Sequence, residues 1–125
     1  DQMDLVFKRI DKRTAIRASF KRFLVYHEDN PHVAKDLAGL ALRLHRRGHS
    51  QYGMAGLMTV LRFRHALVTT GNEAGFKVSN NFGPFYSRLL MAHIPDLEDF
   101  FATRTSLADG WNWSRVGAPS LSEVE

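Results

Sequence analysis

The sequence predicts an all-α domain of four to five helices. Three observations lead there: apolar residues recur at helical spacing over several long segments, the second of these segments has clear start and stop signals, and there are no cysteines to replace a packed core with disulfides. At 125 residues the chain has the length of one domain. Its 44% hydrophobic and 24% charged composition is that of a globular chain, not a disordered one.

The first helix is expected from about Asp4 to His27. Leu5, Val6 and Ile10, then Ile16, Phe20, Phe23 and Leu24, repeat with helical period, with a break expected near Lys12, Arg13 and Thr14. The stretch EDNPHV then opens a second helix, with Asn30 as N-cap and Pro31 at the first helical position. Val33, Leu37, Leu40, Ala41 and Leu44 form its apolar stripe. Arg43, Arg46 and Arg47 fall in its last turns, where cations suit the helix dipole, and Gly48 is the expected left-handed C-cap.

Ser50 is the expected cap of a third helix running to Val68. Met54, Leu57, Met58, Leu61 and Leu67 make it apolar around much of its surface, so it should be the central and most buried helix. Gly53 and Gly56 weaken it but permit close approach by another helix. TTGNEAG reads as a loop, FKV as one short β element near Phe76–Val78, and SNNFGPF as a turn. Pro84 introduces a fourth helix over Phe85–His93, and Pro95 a short fifth one over DLEDFFATR. From Leu107 the chain loses periodicity. Residues 1–106 are therefore read as the helical domain and 107–125 as a tail, ordered in part through Trp111 and Trp113. The expected core includes Phe20, Leu24, Val33, Leu37, Leu40, Leu44, Leu57, Leu61, Phe85, Leu89, Leu97 and Phe100.

The absent patterns narrow the function. No apolar run approaches the ~20 residues of a membrane span, and the first residues carry charge instead of a signal-peptide core, so no membrane partner is expected. The start at Asp1 points to a native N-terminus upstream. There is no P-loop, GxSxG or HExxH pattern, and Gly48 breaks the helix between His45 and His49. Asp96, Glu98 and Asp99 read as the first turn of a helix, not as metal-binding carboxylates. The expectation is a non-enzymatic protein with no catalytic residues, cofactor or metal.

Charge is the positive signal. The net charge is +4, and the excess lies in the first fifty residues. Lys8, Lys12, Arg13, Lys21 and Arg22 mark the first helix, and Arg43, Arg46 and Arg47 the end of the second. Arg62 and Arg64 flank Phe63, two positions apart and so on different helix faces, one free for phosphate and the other for an internal pair. Such a distribution points to an anionic partner, DNA first, with solubility charge as the plain alternative. The unit LALRLHRRGHSQYGMAGLMTVL looks like a helix-turn-helix, although its second helix reads as unbroken, and an ordinary αα-hairpin fits it equally well. Phosphate contacts are assigned to the lysines and arginines, and base contacts to Gln51, Tyr52, Arg62 or Arg64. Asn80 and Asn81, with Lys77, Tyr86 and Arg88, are a candidate polar site, with capping as the simpler role of the asparagines.

Taken together, FLVYHEDNPHV, RRGHSQYGMAGLMTVLRFRHAL and FKVSNNFGPFYSRLLMAHIPDLEDFFATR resemble a family of small phage and prophage proteins. These share an NPHV start, an RG(H) turn, a VLR(F/W) helix and an FK-x-NN segment leading into a Y-x-R-L helix. The resemblance covers about Phe23 to Arg104, and it departs where Phe82 and Gly83 replace an asparagine and a tyrosine. The family has no established activity. The resemblance implies a phage origin and action in the cytoplasm of a bacterial host. It thereby frames two expectations: a nucleic-acid-binding protein, with or without a regulatory role, or a module that binds and modulates a host protein. In the second case Tyr26, Tyr52, Trp111 and Trp113 would be aromatic anchors. The sequence leaves the oligomeric state open.

Overall fold

A computed structural model describes residues 2–70 and 78–117, with side chains from residue 13 onward. It contains α1 (Gln2–Asp29), α2 (Pro31–Arg46), α3 (Met54–Val68) and α4 (Gly83–His93). Short 3-10 turns lie at Asn80–Phe82, Pro95–Leu97, Leu107–Gly110 and Trp113–Arg115. No strand occurs among the described residues, and the domain is all-α. Of the expected β element, Phe76 and Lys77 lie outside the described residues, and Val78 is buried in irregular chain.

Helix α1 runs through Lys12–Thr14 without the expected break, because neither glycine nor proline interrupts it there. Ile16, Phe20, Phe23 and His27 recur on one face, with Phe23 fully buried and Phe20 at the edge of the core. Asn30 alone separates α1 from α2. It occupies the N-cap position as expected, but its side chain bonds backward: Nδ2 donates to the Tyr26 carbonyl at 3.0 Å.

Along α2, Val33, Ala34, Leu37, Ala38, Ala41 and Leu42 are buried. The expected stripe is thus rotated toward the alanines, and Leu40 and Leu44 are only half-buried. The helix ends in a Schellman arrangement. Gly48 sits at φ 97°, its N–H donates to the His45 carbonyl at 3.0 Å, and the His49 N–H donates to the Leu44 carbonyl at 3.1 Å.

Residues 47–53 connect α2 to α3, a longer link than the roughly three- to four-residue turn of a helix-turn-helix. Within it the Tyr52 N–H donates to the Phe100 carbonyl at 3.2 Å. That contact holds the segment away from helical geometry, so α3 starts after Gly53 and not after Ser50. Gly56 does serve close approach, but of a ring: a Cβ there would stand 3.1 Å from Tyr52 Cε1, so the tyrosine lies against the first turn of α3.

The central helix is α4, not α3. In α4, Gly83 and the run Phe85–Leu90 are buried, whereas α3 buries only Met54, Leu57, Met58 and Leu61. The expected fifth helix is a single 3-10 turn, Pro95–Leu97, followed by Asp99 at φ 59°. A left-handed residue ends a right-handed helix. The reversal lets the adjacent Phe100 and Phe101 both enter the core, with ring centroids 5.1 Å apart.

Residues 107–117 fold back on α1 and α4. Trp113 is buried and its Nε1 donates to the Ala108 carbonyl at 2.8 Å. The Phe20 ring lies 4.3 Å from that of Trp111 and 5.2 Å from that of Trp113. His27 Nε2 donates to the Gly117 carbonyl at 2.8 Å, and His93 Nε2 to the Val116 carbonyl at 2.7 Å, since a carbonyl can only accept.

Candidate nucleic-acid interface

Helix α3 is flanked by two depressions rich in arginine. The first lies between α2 and α3, where Arg43 and Arg47 come off the last turns of α2 and Arg64 off α3. The three cations border a groove of about 290 Å³ whose apolar wall includes Leu40, Leu44, Leu57 and Val60. Tyr52, held against Gly56, completes the lining, and no acidic side chain takes part among the described residues. Arg43, Arg47 and Arg64 are exposed, as is Tyr52 at 42%. The groove therefore brings Arg43 and Arg47, two of the residues expected on phosphate, together with Arg64 and an open aromatic ring. Arg46 is exposed beside the groove without lining it.

The second depression is a cleft of about 940 Å³ between α1, α3, α4 and residues 102–106. It collects Arg62 from VLRF, Asn80 and Asn81 from SNNF, and Arg88 from YSRL, three segments far apart in sequence. Arg104 joins them, while Met54, Met58, Phe85 and Ile16 supply apolar lining. Again no carboxylate lines it among the described residues.

The two internal arginines of this cleft have different tasks. Arg62 Nη2 donates to the Val78 carbonyl at 3.0 Å and to the Asn80 side-chain oxygen. Of the pair expected to divide between an internal partner and phosphate, Arg62 is therefore the internally bonded one and Arg64 the exposed one. Arg88 is 6% exposed and bonded through all three of its nitrogens. Its Nε donates to Asp109 Oδ1, Nη1 to the Pro84 carbonyl and Nη2 to the Arg104 carbonyl, each at 2.9 Å. A backbone bond from Ser106 and the Arg88 guanidinium hold the Asp109 carboxyl below its ordinary range. Each of its three nitrogens has a protein acceptor, so Arg88 is held in place and positions the 104–109 wall.

The remaining expected site residues are dispersed. Lys21 and Arg22 border a separate depression that also contains Asp29, and Arg22 donates to Ser19 Oγ at 3.0 Å. Arg13 is exposed, while the side chains of Lys8 and Lys12 lie outside the described residues, as does Lys77. The depression bordered by Lys21 and Arg22 is separate from the groove at the RRG turn. Gln51 is exposed and its amide points to the Asp99 carbonyl at 3.5 Å. In the proposed polar site around Asn80, Tyr86 is fully buried and does not line the cleft. Among the four suggested aromatic anchors only Tyr52 is exposed, because Tyr26, Trp111 and Trp113 pack against the core.

Sequence reasoning missed Arg104, which has no pattern around it. It also missed the structural role of Arg88, although an arginine between Phe85 and Leu89 on an apolar helix was a sign of a buried pair. No protein-family model, no curated protein and no solved structure matches this chain.

Proposed function

We propose that the protein binds nucleic acid without acting on it chemically, as a phage-type protein of the bacterial cytoplasm. The observation that carries this reading is the groove that Arg43, Arg47 and Arg64 line together with Tyr52, with no acidic residue in the lining among the described residues. Arginine forks bind phosphate oxygens bidentately, and an exposed ring offers a platform on which a base stacks. The dispersal of the remaining cations favours a local contact centred on the RRG turn over one broad basic face.

The test is fluorescence anisotropy with labelled DNA across a salt series. For duplex DNA the slope of log affinity against log salt is about −0.9 per neutralised phosphate. The Arg43→Ala/Arg47→Ala variant should bind more weakly and have a slope shallower by about 1.8, if each arginine neutralises one phosphate. An unchanged slope in this variant refutes the assigned interface, and no binding at low salt refutes the reading itself.

One observation favours the second reading, docking on a host protein. Along α3, Val60, Phe63 and Leu67 recur on one exposed face, with Phe63 at 64% and Leu67 at 69% exposure. Such a stripe suits protein contact better than phosphate. A Phe63→Ser variant that keeps DNA affinity but loses a captured protein would support it.

A further inference from the structure

We propose that the cleft between α1, α3 and α4 binds a phosphorylated nucleoside unit, with its phosphate on Arg62, Arg104 and Asn81 and its base against Met54, Met58 and Phe85. The volume of about 940 Å³ lies within the roughly 300–1,000 Å³ typical of small-ligand sites. The lining has the two kinds of group that such a ligand requires. It contains arginine and amide donors as well as thioether and aromatic groups, and no carboxylate among the described residues opposes an anion.

Arg62 is prepared for this role by its internal bonds. Two acceptors, the Val78 carbonyl and the Asn80 side chain, fix Nη2, so the guanidinium plane is set before any ligand arrives. Among the described residues no acceptor takes the N–H groups of its Nε and Nη1. A pre-positioned fork loses little rotamer freedom on binding. Asn80, having accepted from Arg62, keeps its amide N–H groups as donors. Arg104 is exposed, and its backbone is anchored because its carbonyl accepts from Arg88 Nη2. Arg62 thus meets a ligand phosphate at low conformational cost, Arg104 adds a second guanidinium from an anchored backbone, and the methionines adapt to the shape of a base.

The same chemistry has two sources, a free nucleotide or the phosphorylated end of a strand. The strand-end form rests on the nucleic-acid reading above, and the free-nucleotide form does not. Calorimetry with adenosine monophosphate addresses the first source. Anisotropy with a 3′-labelled oligothymidylate, with and without a 5′-phosphate, addresses the second. Binding of the monophosphate, or tighter binding of the phosphorylated strand than of its hydroxyl form, supports the site.

That binding should weaken by about tenfold or more in Arg104→Ala and in Asn81→Asp, whose added carboxylate repels phosphate. Monophosphate binding should be unchanged in Arg115→Ala, which removes an exposed charge outside the cleft lining. Arg104 and Asn81 are exposed and their side chains make no described hydrogen bond, so neither change threatens the fold. The proposal is overturned if the monophosphate does not bind at millimolar concentration and the 5′-phosphate makes no difference. It is equally overturned if binding survives both cleft variants. Salt-dependent strand binding with neither a phosphate effect nor monophosphate binding would overturn the cleft assignment and leave the nucleic-acid reading standing. Monophosphate binding with no strand binding would do the reverse.

Discussion

Replacing Arg88 by alanine should cost more stability than the loss of any exposed charge in the protein. The guanidinium is 6% exposed and makes three hydrogen bonds of 2.9 Å, to Asp109, Pro84 and Arg104. Hydrogen bonds from a charged donor contribute about 1.5–3 kcal/mol each. The contact to Asp109 merits little weight, because solvent reaches that carboxylate. The two carbonyl contacts and the buried aliphatic stem together give an expected loss of about 3–4 kcal/mol. Urea unfolding followed by the fluorescence of Trp111 and Trp113 reads this directly, since both lie in the segment that Arg88 helps to secure. With an m-value of about 1.5–2 kcal/mol/M the midpoint should fall by roughly 2 M. Arg88→Lys keeps the charge but not the three-way fork, and should recover only part of the loss. A cost below about 1 kcal/mol for Arg88→Ala would refute the argument. It would mean that the 104–109 wall stands without this side chain.

Three further outcomes follow from local geometry. Tyr86 is fully buried with no described hydrogen-bond partner for its hydroxyl, and burial pushes its phenol well above the ordinary value. Tyr86→Phe should therefore stabilise the protein by about 1 kcal/mol, seen as a Tm higher by roughly 3–6 °C; a lower Tm would reveal a partner for that hydroxyl. Gly48→Ala places a methyl in open space at φ 97°, so its expected cost of about 1 kcal/mol is conformational alone, and chemical denaturation should show a shifted midpoint with unchanged m. The Asp109 carboxyl is held below its ordinary value of 3.8, so its contribution is present above that pH and disappears as pH falls through the lowered value. The stability difference between the native chain and Asp109→Asn, measured across an acid series, should close in that window, and a difference independent of pH would contradict the pairing.

The parts of the fold legible in the sequence are those in which one signal is strong locally. Asn30 and Pro31 fixed the start of α2, and Gly48 its end, because caps depend on a few adjacent residues. The parts that were not legible depend on distant contacts. The start of α3 is set by a bond between Tyr52 and Phe100, and the lost fifth helix by the need to bury Phe100 and Phe101 together. Dipole-favourable acids after Pro95 promised a helix, but burial of two aromatic rings outweighs a few tenths of a kcal/mol per charge.

The same division holds for the candidate site, and it bears on function. A basic residue announces itself in sequence, but its availability does not. Arg88 and Arg64 carry the same charge, yet the first has three protein acceptors and the second faces the groove beside Tyr52. Helix periodicity explains why α3 serves two surfaces: Leu57, Val60 and Arg64 fall on one side, and Ala55, Met58, Thr59 and Arg62 on the opposite side. A ligand that touched both would have to pass around the first turn of α3, where Tyr52 covers Gly56 and Gly53 opens onto the cleft. A flexible single strand can follow that path, whereas a rigid duplex would engage the groove alone. If both surfaces act on one strand, Arg47→Ala and Arg104→Ala should weaken single-strand binding more than additively weak independent contacts would, and only Arg47→Ala should affect a duplex.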